Sequence, residues 1–335
     1  MVNFRYHIIS LVAVFLALGI GVVMGSAVID RALVANLEGQ QVAIDRRVDQ
    51  VVAENQALQD DLAELQGRTQ QLADEGSERL LAASLTDVPV LVLAVRGVES
   101  QGLDDLVTLL GTAEADYAGT LWFTGRLGLA SDEERRDLAR ALSQRETLSA
   151  TALRELAIER IARALTAGAP SVSVDEGGTG IDGGTGAGGS GSTAETMGEL
   201  REAGFLDFDP PAGDPEETSS LVVPGTRVVL VSGPTAAVED RLWARPLAEA
   251  LVGNPPSPVS MPLLAVEALA AGNPERAEFT EPLRSDDTLS ARLSTVNNID
   301  DFAGRLAAVL TIQDLGTGSV GHYGRGAQRL IPAPG

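Results

Sequence analysis

Cysteine and lysine are both absent from this chain, and histidine occurs only as His7 and His322. Without cysteine there is no disulfide framework, no thiolate metal site, no thiol nucleophile and no residue to acylate in a lipoprotein. With so little histidine, a Ser-His-Asp relay would have to use His322, and no G-x-S-x-G elbow supplies its serine. Every basic group is an arginine. The 25 arginines are set against 47 acidic residues, for a net charge of −22. Nucleic-acid binding rests on cations that neutralise phosphates, so a chain this acidic without a basic patch is excluded from that class. Anionic lipid surfaces should repel it as well.

What is present begins with an uncharged run, IISLVAVFLALGIGVVMGSAVI, over residues 8–29. A bilayer core of ~30 Å needs about 20 apolar helical residues, so the run is long enough to span. Arg5 and the terminal amine precede it, while Asp30 and Arg31 after it cancel. The positive-inside bias therefore places residues 1–7 in the cytoplasm and exports the remainder, as a single-pass protein of the cell membrane. The competing reading is a signal peptide cleaved after Gly25-Ser26-Ala27. The apolar run is longer than a typical cleavable segment and has no helix breaker before that site, which favours a retained anchor. Ala13, Ala17, Gly21 and Gly25 recur every four residues, a small-residue stripe of the kind that lets two helices approach closely in lipid.

A heptad pattern follows over residues 30–80. Leu37, Ile44, Val51, Leu58, Leu65 and Leu72 occupy successive d positions, and Val34, Gln41, Val48, Asn55, Leu62 and Thr69 the a positions. An aliphatic residue at every d across six heptads, with polar flanks and one Asn at an a position, predicts a long parallel coiled coil that pairs this chain with a second copy. Gly76 and Ser77 are expected to close it. A helix packed on the chain's own body would want a wider apolar face.

Beyond residue 86 the period changes. Residues 88–95 are a continuous Val-rich run, as in a strand buried on both faces. Residues 119–124 and 227–231 read as further strands, and 258–266 as a fourth one weakened by Pro262. Helices are predicted near 102–113, 131–143, 150–166, from a cap at Thr235 to about Leu251, and at 301–313. Strands alternating with helices predict a Rossmann-like, doubly wound α/β domain with a parallel sheet over 86–325, followed by a C-terminal tail at 326–335. Two interruptions are expected: a disordered Gly-rich insert at 170–193 and an acidic, proline-containing loop at 209–220. The insert matches G-x-G-x-x-G at Gly178–Gly183 and Gly184–Gly189. It lacks the preceding strand that a dinucleotide fingerprint requires, apart from a weak stretch at 171–175, so it reads as a linker. The adjacent acids Asp104/Asp105, Asp286/Asp287 and Asp300/Asp301 read as solvated caps and loops. Arg96, Arg126 and Ser232–Thr235 follow strand ends, where α/β sheets bind ligands, and would suit an unspecific anion pocket. No catalytic constellation and no cofactor site emerges, and the residues read as non-enzymatic.

Both ends of the chain carry a resemblance. Phe4-Arg-Tyr-His7 leading into the apolar run, then the heptads, then Ser294-Thr-Val-Asn-Asn-Ile-Asp300 with Ala303-Gly304-Arg305 and Gly321-His-Tyr-Gly324, resemble the actinobacterial MctB family over essentially the whole chain. Ser294, Thr295, Asn297, Asn298, Asp300, Gly304, Tyr323 and Gly324 are motif residues without an assigned role. That family tends to read S-T-V-D-N-x-D, so Asn297 removes one charge or ligand. The resemblance implies an envelope location, with the outer membrane as an alternative, and copper transport or efflux. Copper favours soft sulfur or imidazole ligands. Here the candidates are Met24, Met197, Met261 and His322, scattered along the sequence. A scaffold that binds an envelope protein, such as a regulator of cell-wall hydrolysis, is the second expectation, and relatives of the family imply that too.

Overall fold

The computed structural model describes residues 4–166, 190–211, 222–253, 261–268, 278–325, 327, 329 and 331–332. The expected linker core at 170–189, the weak stretch at 171–175, and most of the acidic loop, at 212–220, lie outside them. The chain divides into two compact units, residues 1–71 and 72–335.

The first unit is helical. Helix α1 is Phe4–Leu81, and it continues through Gly76 and Ser77 rather than ending there. Neither residue alone breaks a helix: a glycine costs only about 1 kcal/mol against alanine. Arg5–Gly25 is apolar and long enough to cross a membrane. At 1.5 Å per residue that segment is about 31 Å long, close to the hydrocarbon thickness.

The second unit is an α/β domain around seven strands: β1 (Pro89–Val95), β2 (Asp116–Phe123), β3 (Leu206–Asp209), β4 (Arg227–Ser232), β5 (Leu263–Glu267), β6 (Ser294–Asn297) and β7 (His322–Tyr323). They lie in the order β3-β2-β1-β4-β5-β6-β7. All neighbours pair in parallel except β2 and β3, which are antiparallel from Thr120↔Asp209 to Phe123↔Leu206. The sheet is therefore mixed, which corrects the expectation of a parallel one. The reason is local. Helix α5 (Ser190–Glu202) delivers the chain to the carboxyl end of β2, where Thr124 N donates to Phe205 O and the Thr124 hydroxyl to Gly204 O. From that end, an edge strand can only run back.

Central strands are buried residue after residue, as the unbroken Val/Leu runs require when both faces are covered. Helices α2 (Ser100–Thr112) and α9 (Phe302–Leu315) pack together, and α4 (Ala150–Thr166) packs with α6 (Ala244–Val252), α5 and α3 (Asp132–Ala141). These two groups supply the cover. Short helices α7 (Thr280–Arg284) and α8 (Asp287–Ser290) complete the connection into β6. Ser131 and Glu134 form a capping box that starts α3.

Helix α6 begins at Ala244, not at Thr235, with Trp243 at its cap. Pro246 falls in its first turn, where a missing N–H costs nothing. Residues 233–243 instead form turns that return over the sheet. β5 starts just past Pro262, whose carbonyl still accepts from Val228 N. Residues 190–193 of the expected insert are already α5, and Asp209 of the expected acidic loop ends β3.

Candidate functional site

A doubly wound order changes direction between β1 and β4, and such a switch point is where open sheets usually hold ligands. Here it is filled by the chain itself. Gly97 adopts φ +91°, and a Cβ there would lie 2.6 Å from Thr235 O. Ala237 N donates to Arg96 O at 2.7 Å, which clamps the turn into the crevice. Arg96 stacks on Trp122 at 4.1 Å and pairs with Asp207 at 2.5 Å. Arg126 pairs with Asp137 at 2.6 Å and lies over Phe205. Both arginines expected for an anion pocket are thus neutralised within the fold. A polar cleft of about 440 Å³ beside Arg126 is lined by Asp137, Arg140, Glu199 and Glu202, a mixed set of charges.

The motif residues do converge, at the far side of the same carboxyl edge. Ser294 and Thr295 lie on β6, and Ser294 Oγ accepts from Gly321 N. Asn297 Nδ2 donates to Arg325 O, and Asn298 Nδ2 to Asp301, whose other carboxylate oxygen caps α9 at Gly304 N. Asp300 contributes its carbonyl, which accepts from Arg305 together with Ile299 O. Arg305 is only 6% exposed and also reaches Asp105 of α2 at 3.3 Å. Asp105 is therefore an ion-pair partner rather than a solvated loop acid, while Asp286 and Asp301 cap helices as expected.

Two glycines make this knot possible. A Cβ on Gly304 would lie 2.0 Å from Asn298 O, and one on Gly324 (φ +106°) would lie 2.0 Å from Asn297 Oδ1 and 2.5 Å from Asn298 Oδ1. Both amide oxygens are buried without a hydrogen-bond partner and pack on the Gly324 Cα. Asn298 itself adopts φ +69°, which Asn tolerates better than most residues. The side chain of Tyr323 covers Gly321.

The only histidine of this unit sits in a relay. Arg284 Nε donates to the Thr295 hydroxyl at 2.7 Å, that hydroxyl donates to His322 Nδ1 at 3.0 Å, and His322 Nε2 donates to Ser290 O at 3.0 Å. A carbonyl can only accept, so Nε2 carries a proton; with the Thr295 proton directed at Nδ1 the ring is the neutral tautomer. Burial, and then the nearby Arg284 charge, hold its pKa below the usual value against the Ser290 bond.

Two carboxylates, a buried one and a half-buried one (Asp240), were not singled out in the sequence. Glu267, fully buried at the end of β5, accepts from Phe279 N, Thr280 N and the Thr280 hydroxyl at 2.8–3.0 Å. Burial nevertheless raises its pKa. Asp240 accepts from the Ser232 hydroxyl, and burial pushes it up to about 6, with Glu267 and Glu278 adding to the rise. A carboxylate directly ending an apolar strand, as in Leu263-Leu-Ala-Val-Glu267, was the available signal.

In the first unit the chain covers none of the expected contact residues whose side chains are described. Ala13, Ala17, Gly21 and Gly25 are exposed, as are Ile44 (61%), Val51 (50%), Asn55 and Leu58 (60%). The side chains of Leu37, Leu62, Leu65 and Leu72 lie outside the described residues.

The family model described as "Copper transport outer membrane protein, MctB" matches residues 1–332. The chain belongs to the MctB family. It is 26% identical to proteins named "Copper transporter MctB" from Mycobacterium bovis and Mycobacterium tuberculosis, over 97% of this chain and 97% of each relative. The match includes both the apolar N-terminus and the β6–α9–β7 knot, so the whole two-unit architecture falls within the family.

Proposed function

We propose that this member of the MctB family is a non-enzymatic, single-pass envelope protein that contributes to copper handling through assembly, with no copper site of its own. The described residues do not build a site for a resident copper ion, and Met197 packs against the core on α5. Both nitrogens of His322 are engaged, Met261 is 2% exposed in the core, and Met24 lies in the apolar span. Among the described residues no group of three His, Cys, Asp or Glu side chains could hold a metal. Copper enters as the cargo that the relatives' names imply, handled by a partner or by the assembly.

The observation that carries the reading is the stripe Ile44, Val48, Val51 and Leu58, each at least 50% exposed and spaced at heptad a and d positions. Each such side chain is worth about 1.5–3 kcal/mol when fully removed from water, so an uncovered row is a strong drive to pair. The occupant is a second copy in parallel. Both copies start from the same membrane face, with the N-terminus cytoplasmic and the body exported, and Ala13, Ala17, Gly21 and Gly25 continue the contact into lipid.

Because the chain has no cysteine, a single Leu58→Cys substitution gives a clean test in membranes. Disulfide-linked pairs are expected on mild oxidation, while recovery of single chains only overturns the pairing. Copper titration of the purified protein separates cargo handling by assembly from direct binding: stoichiometric tight binding would contradict the reading. Envelope fractionation distinguishes the cell membrane from the outer membrane, and a co-purifying cell-wall hydrolase without any copper phenotype would favour the regulatory scaffold instead.

A further inference from the structure

The C-terminal edge of the sheet is held in an unusual way. β7 has only two residues, and its backbone pairing to β6 is correspondingly slight: Thr295↔His322 and Val296↔Tyr323, with Thr295 N donating to Gly321 O at 3.1 Å. Side chains supply most of the remaining attachment. Arg284 Nη2 donates to Tyr323 O at 2.5 Å, Asn297 to Arg325 O at 2.8 Å, and His322 bridges Thr295 of β6 to Ser290 of α8. The chain then turns at Gly324, whose N–H donates to Arg329 O. His322 thus ties the edge strand to two other elements through a side chain that titrates near neutral pH.

We propose that the Arg284–Thr295–His322–Ser290 relay is an acid-released latch on this strap. It requires a neutral ring with an accepting Nδ1. Protonation puts a second N–H against the Thr295 hydroxyl, which loses its acceptor, and adds a cation beside Arg284. The groups facing the ring are Thr295 from β6, the Ser290 carbonyl from α8 and the Arg284 guanidinium from α7. Glu267 and Glu281 act on Arg284, and Asp314 and Arg329 on the neighbouring Tyr323. None of these offers His322 a carboxylate partner that would reward the charge. Acid therefore weakens the latch, β7 lets go, and the outer edge of β6 presents unpaired backbone groups to a partner strand.

This inference is independent of pairing through α1 and has a separate readout. A spin label on Val320→Cys, a 40%-exposed position one residue before Gly321, reports motion of the strap in the full-length protein in lipid nanodiscs. From about pH 7.5 to about pH 5 the immobilised component is expected to be lost. His322→Gln should abolish that transition, whether the strap then stays held or stays loose at every pH. Thr295→Val, which removes the hydroxyl between Arg284 and the ring, should leave the strap mobile already at neutral pH. An immobile label throughout the range, or an unchanged midpoint in His322→Gln, overturns the proposal.

Discussion

Val51 and Val92 are the same residue type with opposite fates: the first is 50% exposed on α1, the second fully buried in β1. The contrast extends to the two units as wholes. Among the described residues of 72–335 most apolar side chains find cover within the chain, with both sheet faces closed, the switch-point crevice plugged by the 233–237 turn and the arginines of the strand ends paired. In residues 1–71 the apolar side chains that the structure describes, those of the Arg5–Gly25 span and of Ile44, Val48, Val51 and Leu58 in the heptads, remain exposed. Open hydrophobic surface of that extent is what the proposed contacts with lipid and with a second copy would cover.

The largest test of this contrast is steric. Gly304→Val forces a side chain into Asn298 O, which is backbone and cannot swing aside. A loss of about 3–5 kcal/mol in the α/β unit, read by denaturant unfolding, is expected. Cross-linking at Leu58 should persist, and if it vanished with the knot, the independence of the two units would fail. The converse substitution, Val51→Glu with Leu58→Glu, places acids on the stripe. It should abolish cross-linking at a neighbouring heptad position while leaving the unfolding midpoint of the α/β unit unchanged.

A smaller effect is expected at the buried acids. Glu267→Ala leaves Phe279 N and Thr280 N without their acceptor and should cost about 1–3 kcal/mol in unfolding free energy. The smallest effects concern pH. Asp240 binds its proton more tightly folded than unfolded, so its stabilising contribution is complete below about pH 4 and is lost as the pH rises through about 6. Asp240→Asn should flatten that part of a stability–pH curve and raise stability near neutrality. The lowered pKa of His322 works in the opposite sense, its contribution present above about pH 6.5 and lost on acidification. Comparing the curves of Asp240→Asn and His322→Gln separates the two.

How much of this was legible beforehand differs by element. β1 was readable as a run of Val and Leu, and α4 at 150–166 as a periodic helix, because burial on two faces or on one stripe leaves a pattern in the sequence itself. β3, β6 and β7 were not readable. Each is four residues or fewer, and Ser294-Thr-Val-Asn297 has no apolar run to mark it as a strand. The motif residues were recognisable as a group, but their roles were hidden. Gly324 and Gly304 are small because of Asn297 and Asn298, which only the return of β7 and α9 to the end of β6 brings against them. Arg96 and Arg126 looked available because their partners Asp207 and Asp137 lie 111 and 11 residues away along the chain.

The amino-acid sequence alone determined the apolar span, the heptad register and the alternation of strand and helix, since each depends on spacing between near neighbours along one helix or strand. Tertiary structure alone decided the reversal of β3, the filling of the switch point and the placing of His322 between Thr295 and Ser290. Those outcomes depend on which distant backbone groups meet, and hydrogen bonding and steric exclusion between segments far apart in the chain leave no local pattern to read.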